Sequence, residues 1–527
     1  MRKLSGTAMI ILGLILLAIP VQSEQKTVVA LKVTERVKID GILDEEIWQT
    51  SGIEDFTQSE PFDGAQPTER TVVWVGYDDK SLYVGAWLID SQPEGITTRL
   101  GRRDDQVESD WFIFAVDPYF DRNTGYQFGV NPSGSMVDMT LYNDAREDYT
   151  WDGLWECAAT IDQSGWSVEM RIPFHQLRFQ KKDKAVWGIN FSRIIKRKNE
   201  KNVYAWIARH ESGYVSHFAR LVGIEDIHPG SHLEIRPYSA AKASFVSSEN
   251  DNPLNTGKAL SGNVGIDFKI GLRNNLILDV TINPDFGQVE VDPAVINLTA
   301  AETYYEERRP FFIEGSTLFS FGMGGVNYNS SFWGIPLFFY SRRVGRSPQG
   351  YVESNGVVDY PEWSTILAAA KLTGKVGKGW NLGFLSALTE REHAIYEDDL
   401  DRRRAEVEPA SYYGTMRVQK EFNGGRQGLG FIATSVFRNF QDDSIRDLLS
   451  RSAASFGIDG WASLTRNRSW VVSGWLGATQ IAGSKTSISR LQSSYLHYFQ
   501  RPDAKYVSFD RNATSLNGWA GRLYLTR

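Results

Sequence analysis

The sequence predicts an all-β protein in two parts, an N-terminal β-sandwich at 24–230 and an antiparallel transmembrane β-barrel at 231–527. Three observations carry this. Residues 27–228 hold short apolar, β-branched and aromatic runs separated by turn signals, as an antiparallel sandwich requires. From about residue 232 the runs lengthen to about ten residues with strict two-residue alternation, the pattern of a membrane strand with one apolar and one polar face. After residue 23 no apolar run approaches the roughly 18 residues of a spanning helix, so only a closed sheet could cross a bilayer.

Composition removes other classes. Lys and Arg total 57 against 64 Asp and Glu, a net charge of −7, which lacks the basic surface of a nucleic-acid binder. A chain that is 42% hydrophobic and 13% aromatic has ample material for packed cores and is not disordered. One cysteine excludes a disulfide scaffold and any Cys-cluster zinc site, leaving Cys157 as a small buried apolar residue.

Taken in order, residues 1–23 read as a secretory signal, with Arg2 and Lys3 ahead of a short apolar stretch and small residues before Glu24. Strands are expected at 71–77 and 81–88, joined by Asp78-Asp79-Lys80, then at 110–116, 126–130, 166–172, 186–194 and 203–208. One short helix is expected at 44–48, capped by Asp44, with Ile47 and Trp48 facing the core. In the second part, Val264, Ile266, Phe268 and Ile270 share one face while Asp267 and Lys269 share the other. Leu278, Val280 and Ile282 likewise oppose Asp279 and Thr281; Met416, Val418 and Phe422 oppose Arg417 and Glu421; Ile458 opposes Asp459. Tyr340, Phe422, Trp470 and Trp519 are placed near strand ends as interfacial aromatics, and about twelve strands are expected in all.

Two groups of motifs carry a family resemblance. Lys38-Ile39-Asp40-Gly41 through Ile47-Trp48, the run Tyr77 to Val84, and Trp166-Ser167-Val168-Glu169-Met170-Arg171-Ile172-Pro173 resemble carbohydrate-binding module family 9, a β-sandwich that binds sugar-chain ends. Ile282-Asn283-Pro284-Asp285-Phe286-Gly287, with Asn297-Leu298-Thr299 and Glu307-Arg308-Arg309-Pro310-Phe311-Phe312, resembles the hallmark of DUF5916. That is a bacterial outer-membrane family of unknown function in which a family-9-like domain precedes a barrel. The resemblance implies an outer-membrane location, a periplasmic N-terminal domain, and insertion by the barrel assembly machinery.

Within the second motif, Asn283-Pro284-Asp285 breaks the alternation and Asp292-Pro293 predicts a helix over 294–307. The charges in 284–330 exclude a lipid-facing position, so this stretch is expected either inside the barrel as a plug, pairing with Asp267, Lys269 and Asp279, or as a loop at the rim. The last strand ends at Arg527 rather than on an aromatic residue, an expectation of a barrel short of closure with an exposed edge.

Sugar binding needs aromatic faces and planar polar groups. The candidates are Arg102, Arg103, Asp104, Trp111, Trp151 and Trp155, although most tryptophans in these strands are expected in the core. Asp117, Asp121 and Asn123 place oxygens in one turn and are candidate ligands for structural calcium, against the plainer reading of an Asp/Asn/Gly turn. No catalytic residue is predicted: neighbouring carboxylates do not make the cleft-spanning pair of a glycosidase, and neither H-E-x-x-H nor G-x-S-x-G occurs. The expected function is binding of carbohydrate or another envelope ligand by the sandwich, coupled to transport through the barrel. A second reading is a transporter or assembly barrel whose sandwich is a gate without sugar affinity, and a third is a polysaccharide-degrading hydrolase.

Overall fold

The structure is a computed structural model describing residues 25–527 except 228–232, 246–253, 255–256, 273–275, 285–295, 299–301, 306, 323–336, 355, 378, 399–400 and 466–467. The expected signal at 1–23 lies outside the described residues, as do Asp285 to Glu290 of the second motif and the expected helix start at Asp292-Pro293. No described helix is long and apolar enough to cross a membrane.

The N-terminal part is a two-sheet sandwich. Five strands, in the order Glu156–Asp162, Gly165–Pro173, Ser81–Ile89, Thr71–Tyr77 and Leu31–Lys32, form one sheet. The other sheet is centred on Lys184–Ile195, which pairs with Trp111–Asp117 on one side and with Ala219–Glu225 and Glu200–Val203 on the other. Phe112, Phe114, Phe128 and Phe191 of this sheet pack against Val84, Leu88, Val168 and Met170 of the first. Phe114 stacks on Phe128 and on Phe191, each with ring centroids 5.9 Å apart, so an aromatic column fills the space between the layers.

The expected strand at 203–208 lies earlier, at Glu200–Val203, because Tyr204 and Ala205 turn inward and give the Ala205 amide to Asn190 instead of a ladder. The short helix is a 3-10 turn at Glu46–Gln49 preceded by Glu45, with no side-chain cap from Asp44; Ile47 and Trp48 are buried as expected.

After residue 232, ten strands form one antiparallel meander: Leu233–Phe245, Lys258–Leu272, Leu276–Ile282, Ile366–Val376, Trp380–Thr389, Ala410–Phe422, Gln427–Asn439, Ser452–Ser463, Val471–Ala482 and Ser515–Thr526. A further three-stranded sheet of Val358–Asp359, Glu392–Asp398 and Asp401–Glu408 stands beyond one end. Among the described residues the meander stays open, with Leu233–Phe245 and Ser515–Thr526 at its edges.

Alternation gives the large sheet two unlike faces. Leu260, Val264, Trp380, Phe384, Leu388, Leu429, Phe456 and Leu476 are exposed on the open face. Asp279, Thr281, Lys371, Arg417, Glu421 and Asp459 are buried on the other, which is covered by the segment inserted between Ile282 and Ile366. The covering segment spans from the middle of the sheet to its edge. Phe319 packs on Gly383 of the fifth strand, while Gly322, three residues on, meets Tyr524 of the tenth.

Candidate functional site

The inserted segment is held by buried charge. Lys371 Nζ donates to the carbonyls of Phe311 (2.5 Å) and Glu314 (2.7 Å) and lies 3.5 Å from Asp279. Glu314 pairs with Lys269 at 2.6 Å, so the expected partner Lys269 is used. Further along, Arg417 grips both oxygens of Asp459 (2.6 and 2.8 Å), and the same carboxylate accepts Gly322 N at 2.8 Å. Gly457 and Gly477 make room for rings of the segment: a Cβ there would lie 2.4 Å from Phe321 and 2.2 Å from Phe338. The described residues 296–298, 302–305 and 307–309 are not helical; among the described residues of the segment, the first helical turn is Pro310–Ile313, opened by its proline. Tyr340 belongs to this segment, not to a strand end, and exchanges hydrogen bonds with Tyr305.

The sandwich docks at one end of the large sheet. Successive strands are joined there by short connections at 377–379, 423–426 and 464–470, and the long insertions all lie at the opposite end. Lys375 pairs with Asp121 and donates to Thr124 Oγ1 at 2.7 Å; Arg468 pairs with Asp144 and donates to Gly424 O at 2.8 Å. Asn123 lies against Gly425. A polar cavity of about 60 Å³ at this junction, lined by Asn123, Lys375, Arg417 and Glu421, admits a few waters and no sugar ring.

The residues of the calcium expectation are engaged by protein partners in this arrangement. Asp117 accepts the amides of Asp121 and Arg122, and Asp121 accepts those of Asn123 and Thr124 at 2.8 and 2.7 Å. Burial and the neighbouring Asp121 raise the Asp117 carboxyl above its ordinary value. The cation that Asp121 meets is Lys375, and the described residues bring no three His, Cys, Asp or Glu side chains together as a metal cluster. These residues form an Asx-type turn that doubles as a docking latch.

The sugar-site candidates divide. Arg103, Asp104, Trp151 and Trp155 gather around Asp138, which is 0% exposed and which the sequence reading missed. Asp138 accepts Trp155 Nε1 (2.8 Å), Gly153 N (3.0 Å) and Arg103, while its own amide donates to Asp104 (3.1 Å). Burial raises the Asp138 carboxyl despite those donors. Only its pairing opposite Phe128 on a buried strand marks Asp138 in the sequence as a carboxylate in need of partners. Trp155 is core, in edge contact with Phe128, and Trp151 packs on Tyr126 at 4.9 Å. Trp111 is 8% exposed, packs with Val137 and Met139, and gives its Nε1 to Val107 O; it offers no face to a ligand. What reaches solvent is Arg102, Arg103, Asp152, Leu154 and Tyr149.

Glu169 of the W-x-x-E-x-x-I-P run is likewise structural. Its carboxylate accepts Asp40 N (2.9 Å), Gly41 N (2.8 Å) and Trp48 Nε1 (2.9 Å), tying the opening motif to the late one. Gly41 has φ +83, and a Cβ there would lie 2.8 Å from Thr160 Oγ1, so this tie needs glycine.

Fold and site define a class: a mostly β chain whose sandwich is latched to the short-turn end of a large sheet, apolar on one face and charged on the other. Residues 229–452 match the family described as "Domain of unknown function (DUF5916)". No curated protein matches the chain. Among solved structures, it is similar to a carbohydrate binding module family 9 from Caldicellulosiruptor kristjanssonii in complex with cellotriose (15% identity, 37% of this chain and 93% of that one, TM-score 0.27). The same module with glucose gives 15% identity, 37% and 95% coverage and a TM-score of 0.28. The outer membrane channel DcaP of Acinetobacter baumannii is similar at 8% identity over 86% of this chain and 97% of that one, with a TM-score of 0.20. Scores this low transfer neither a ligand nor a residue role.

Proposed function

We propose that the chain is an outer-membrane protein whose large sheet faces lipid as a barrel wall around the inserted segment, and whose periplasmic sandwich binds carbohydrate or another envelope ligand. The observation that carries the membrane reading is the open face of the sheet, where large apolar side chains stand exposed while charges are buried beneath the inserted segment. From Trp380 to Leu388 this face runs about 27 Å along one strand, comparable with the apolar band of an outer-membrane barrel. Short connections on the periplasmic side and long ones outside are usual for such proteins, and the sandwich sits at the short-connection end. Support for a sugar ligand comes from the family-9-like motifs and from the loop around Gly153, which Asp138 holds so that Arg103, Asp152 and Tyr149 reach solvent.

The proposal is for binding and not hydrolysis. Glycan-array binding by the full chain in detergent tests it: neutral oligosaccharides bind, and Arg103→Ala or Tyr149→Ala removes the signal. No binding to any glycan would leave the sandwich as a gate, a reading favoured by its two latches, and release of reducing sugar would make the protein a hydrolase. Heat-modifiable migration on a gel tests the barrel.

A further inference from the structure

At the long-loop end of the sheet, away from the sandwich, two arginines from different elements converge on one oxygen. Arg346 lies in the inserted segment, its carbonyl accepting Ser364 N at 3.0 Å and Ser364 Oγ at 2.7 Å. Arg438 lies near the end of Gln427–Asn439, its amide donating to Arg451 O (2.9 Å) and its Nη1 to Ser450 O (2.8 Å). By alternation it shares the covered face with Gly430, whose position meets Arg417 and Asp459. Both Nη2 groups bond Gln349 Oε1, Arg438 from 3.4 Å. The Nε of each arginine is buried with no hydrogen-bond partner among the described residues.

A neutral amide oxygen thus stands where two guanidiniums meet, that of Arg438 held in place by Ser450 O. The groups acting on Arg346 besides Arg438 are Tyr413, Glu408 and Arg343. Arg343 is paired with Glu302, and Glu408, which accepts Gln349 N at 2.9 Å, offsets one of the two guanidinium charges and leaves the other in surplus. Gln349 is exposed, and its side chain can leave without disturbing the core.

We propose that Arg346 and Arg438 form an anion site for the carboxylate or phosphate group of a ligand, which takes the place of the Gln349 amide. A guanidinium fork matches either oxyanion, and two forks meeting from separate elements give the directional recognition that a single surface charge lacks. This site is independent of sugar binding by the sandwich.

The test is calorimetry on the full chain carrying Tyr149→Ala, which takes away the sugar binding proposed for the sandwich, in detergent at constant ionic strength, with inorganic phosphate, glucuronate and glucose as probes. Phosphate or glucuronate binds and glucose does not; the tighter of the two anions identifies the source chemistry. Arg346→Gln and Arg438→Gln each weaken binding by about tenfold or more, the loss of a charge-assisted hydrogen bond. Gln349→Ala, on an exposed side chain, tightens it about threefold by removing the occupant that competes with the anion. Failure of both anions to bind better than glucose, or an affinity unchanged or weakened by Gln349→Ala, overturns the proposal.

Discussion

The ammonium of Lys375, on the large sheet, is held by the Asp121 carboxylate of the sandwich, with Thr124 Oγ1 2.7 Å away. Asp121 also accepts the amides of Asn123 and Thr124, so one carboxylate shapes a turn and binds the other half of the molecule. Lys375→Met leaves a largely buried carboxylate without its cation and is expected to cost about 3 kcal/mol of docking. The double variant Lys375→Met/Asp121→Asn costs less than the sum of the two single changes, because the pair is lost only once. Limited proteolysis between the two halves, timed for all four proteins, checks this.

Glu169 gives a pH dependence. Burial pushes its carboxyl above the ordinary value of 4.5 against the pull of its three N–H donors, so the folded state holds that proton more tightly than the unfolded chain does. Its contribution to stability is therefore complete below 4.5 and is lost as pH rises through the raised folded value. Urea midpoints of the protein are expected to fall across that window, and Glu169→Gln, which cannot ionise, to show a flatter profile. An unchanged slope in the variant would show that another group titrates there.

Residues with one dominant environment were legible in the sequence. Strand alternation placed Asp279, Arg417 and Asp459 on one face and Val264, Phe422 and Ile458 on the other, because a two-residue period leaves no other choice once one face is apolar. Trp111 and Trp155 stood among the sugar-site candidates although both are buried, because an aromatic beside charged loop residues has the same sequence signature whether its ring faces solvent or the core. Asp138 was missed because its partners come from two other stretches of the chain, Arg103 from one and Gly153 and Trp155 from another, that only the fold brings together. The latch was illegible as such: Asp121 and Lys375 lie far apart in the chain and only the docking of the halves brings them together.

Trp111 and the Asp138 cluster together separate stability from binding. Trp111→Ala empties a packed site and is expected to cost about 4 kcal/mol while leaving glycan affinity of the folded fraction unchanged. Arg103→Ala removes one of Asp138's donors, costing about 2 kcal/mol, and also removes the solvent-reaching guanidinium. Thermal unfolding alongside glycan binding distinguishes the two: only the second variant loses affinity.

The open face predicts a membrane phenotype. Phe384 projects from the middle of its strand among Trp380, Leu388 and Met416. Phe384→Arg is expected to cost about 2–4 kcal/mol near a bilayer midplane and to reduce the heat-modifiable form in outer-membrane fractions. The same substitution at Asn517, on the edge strand Ser515–Thr526, serves as a position without a large apolar side chain to lose. Equal behaviour of the two variants would argue against lipid contact at Phe384.

Asp459 joins the strand wall to the inserted segment. Its carboxylate neutralises Arg417 through two hydrogen bonds and holds the Gly322 amide, which in turn brings the Gly322 carbonyl to Tyr524 on the last strand. Asp459→Ala leaves the Arg417 guanidinium buried and uncompensated, a loss of about 3–5 kcal/mol, and releases the tie between the eighth and tenth strands. Asp459→Asn keeps the shape and an acceptor for Gly322 but not the charge, so it should hold the segment less tightly than the native residue and better than alanine. If the segment fills a lumen, single-channel conductance in planar bilayers rises in the order native, Asp459→Asn, Asp459→Ala. Equal conductance in all three, with the variants folded, would place the ion path elsewhere and separate the structural role of Asp459 from any gating role.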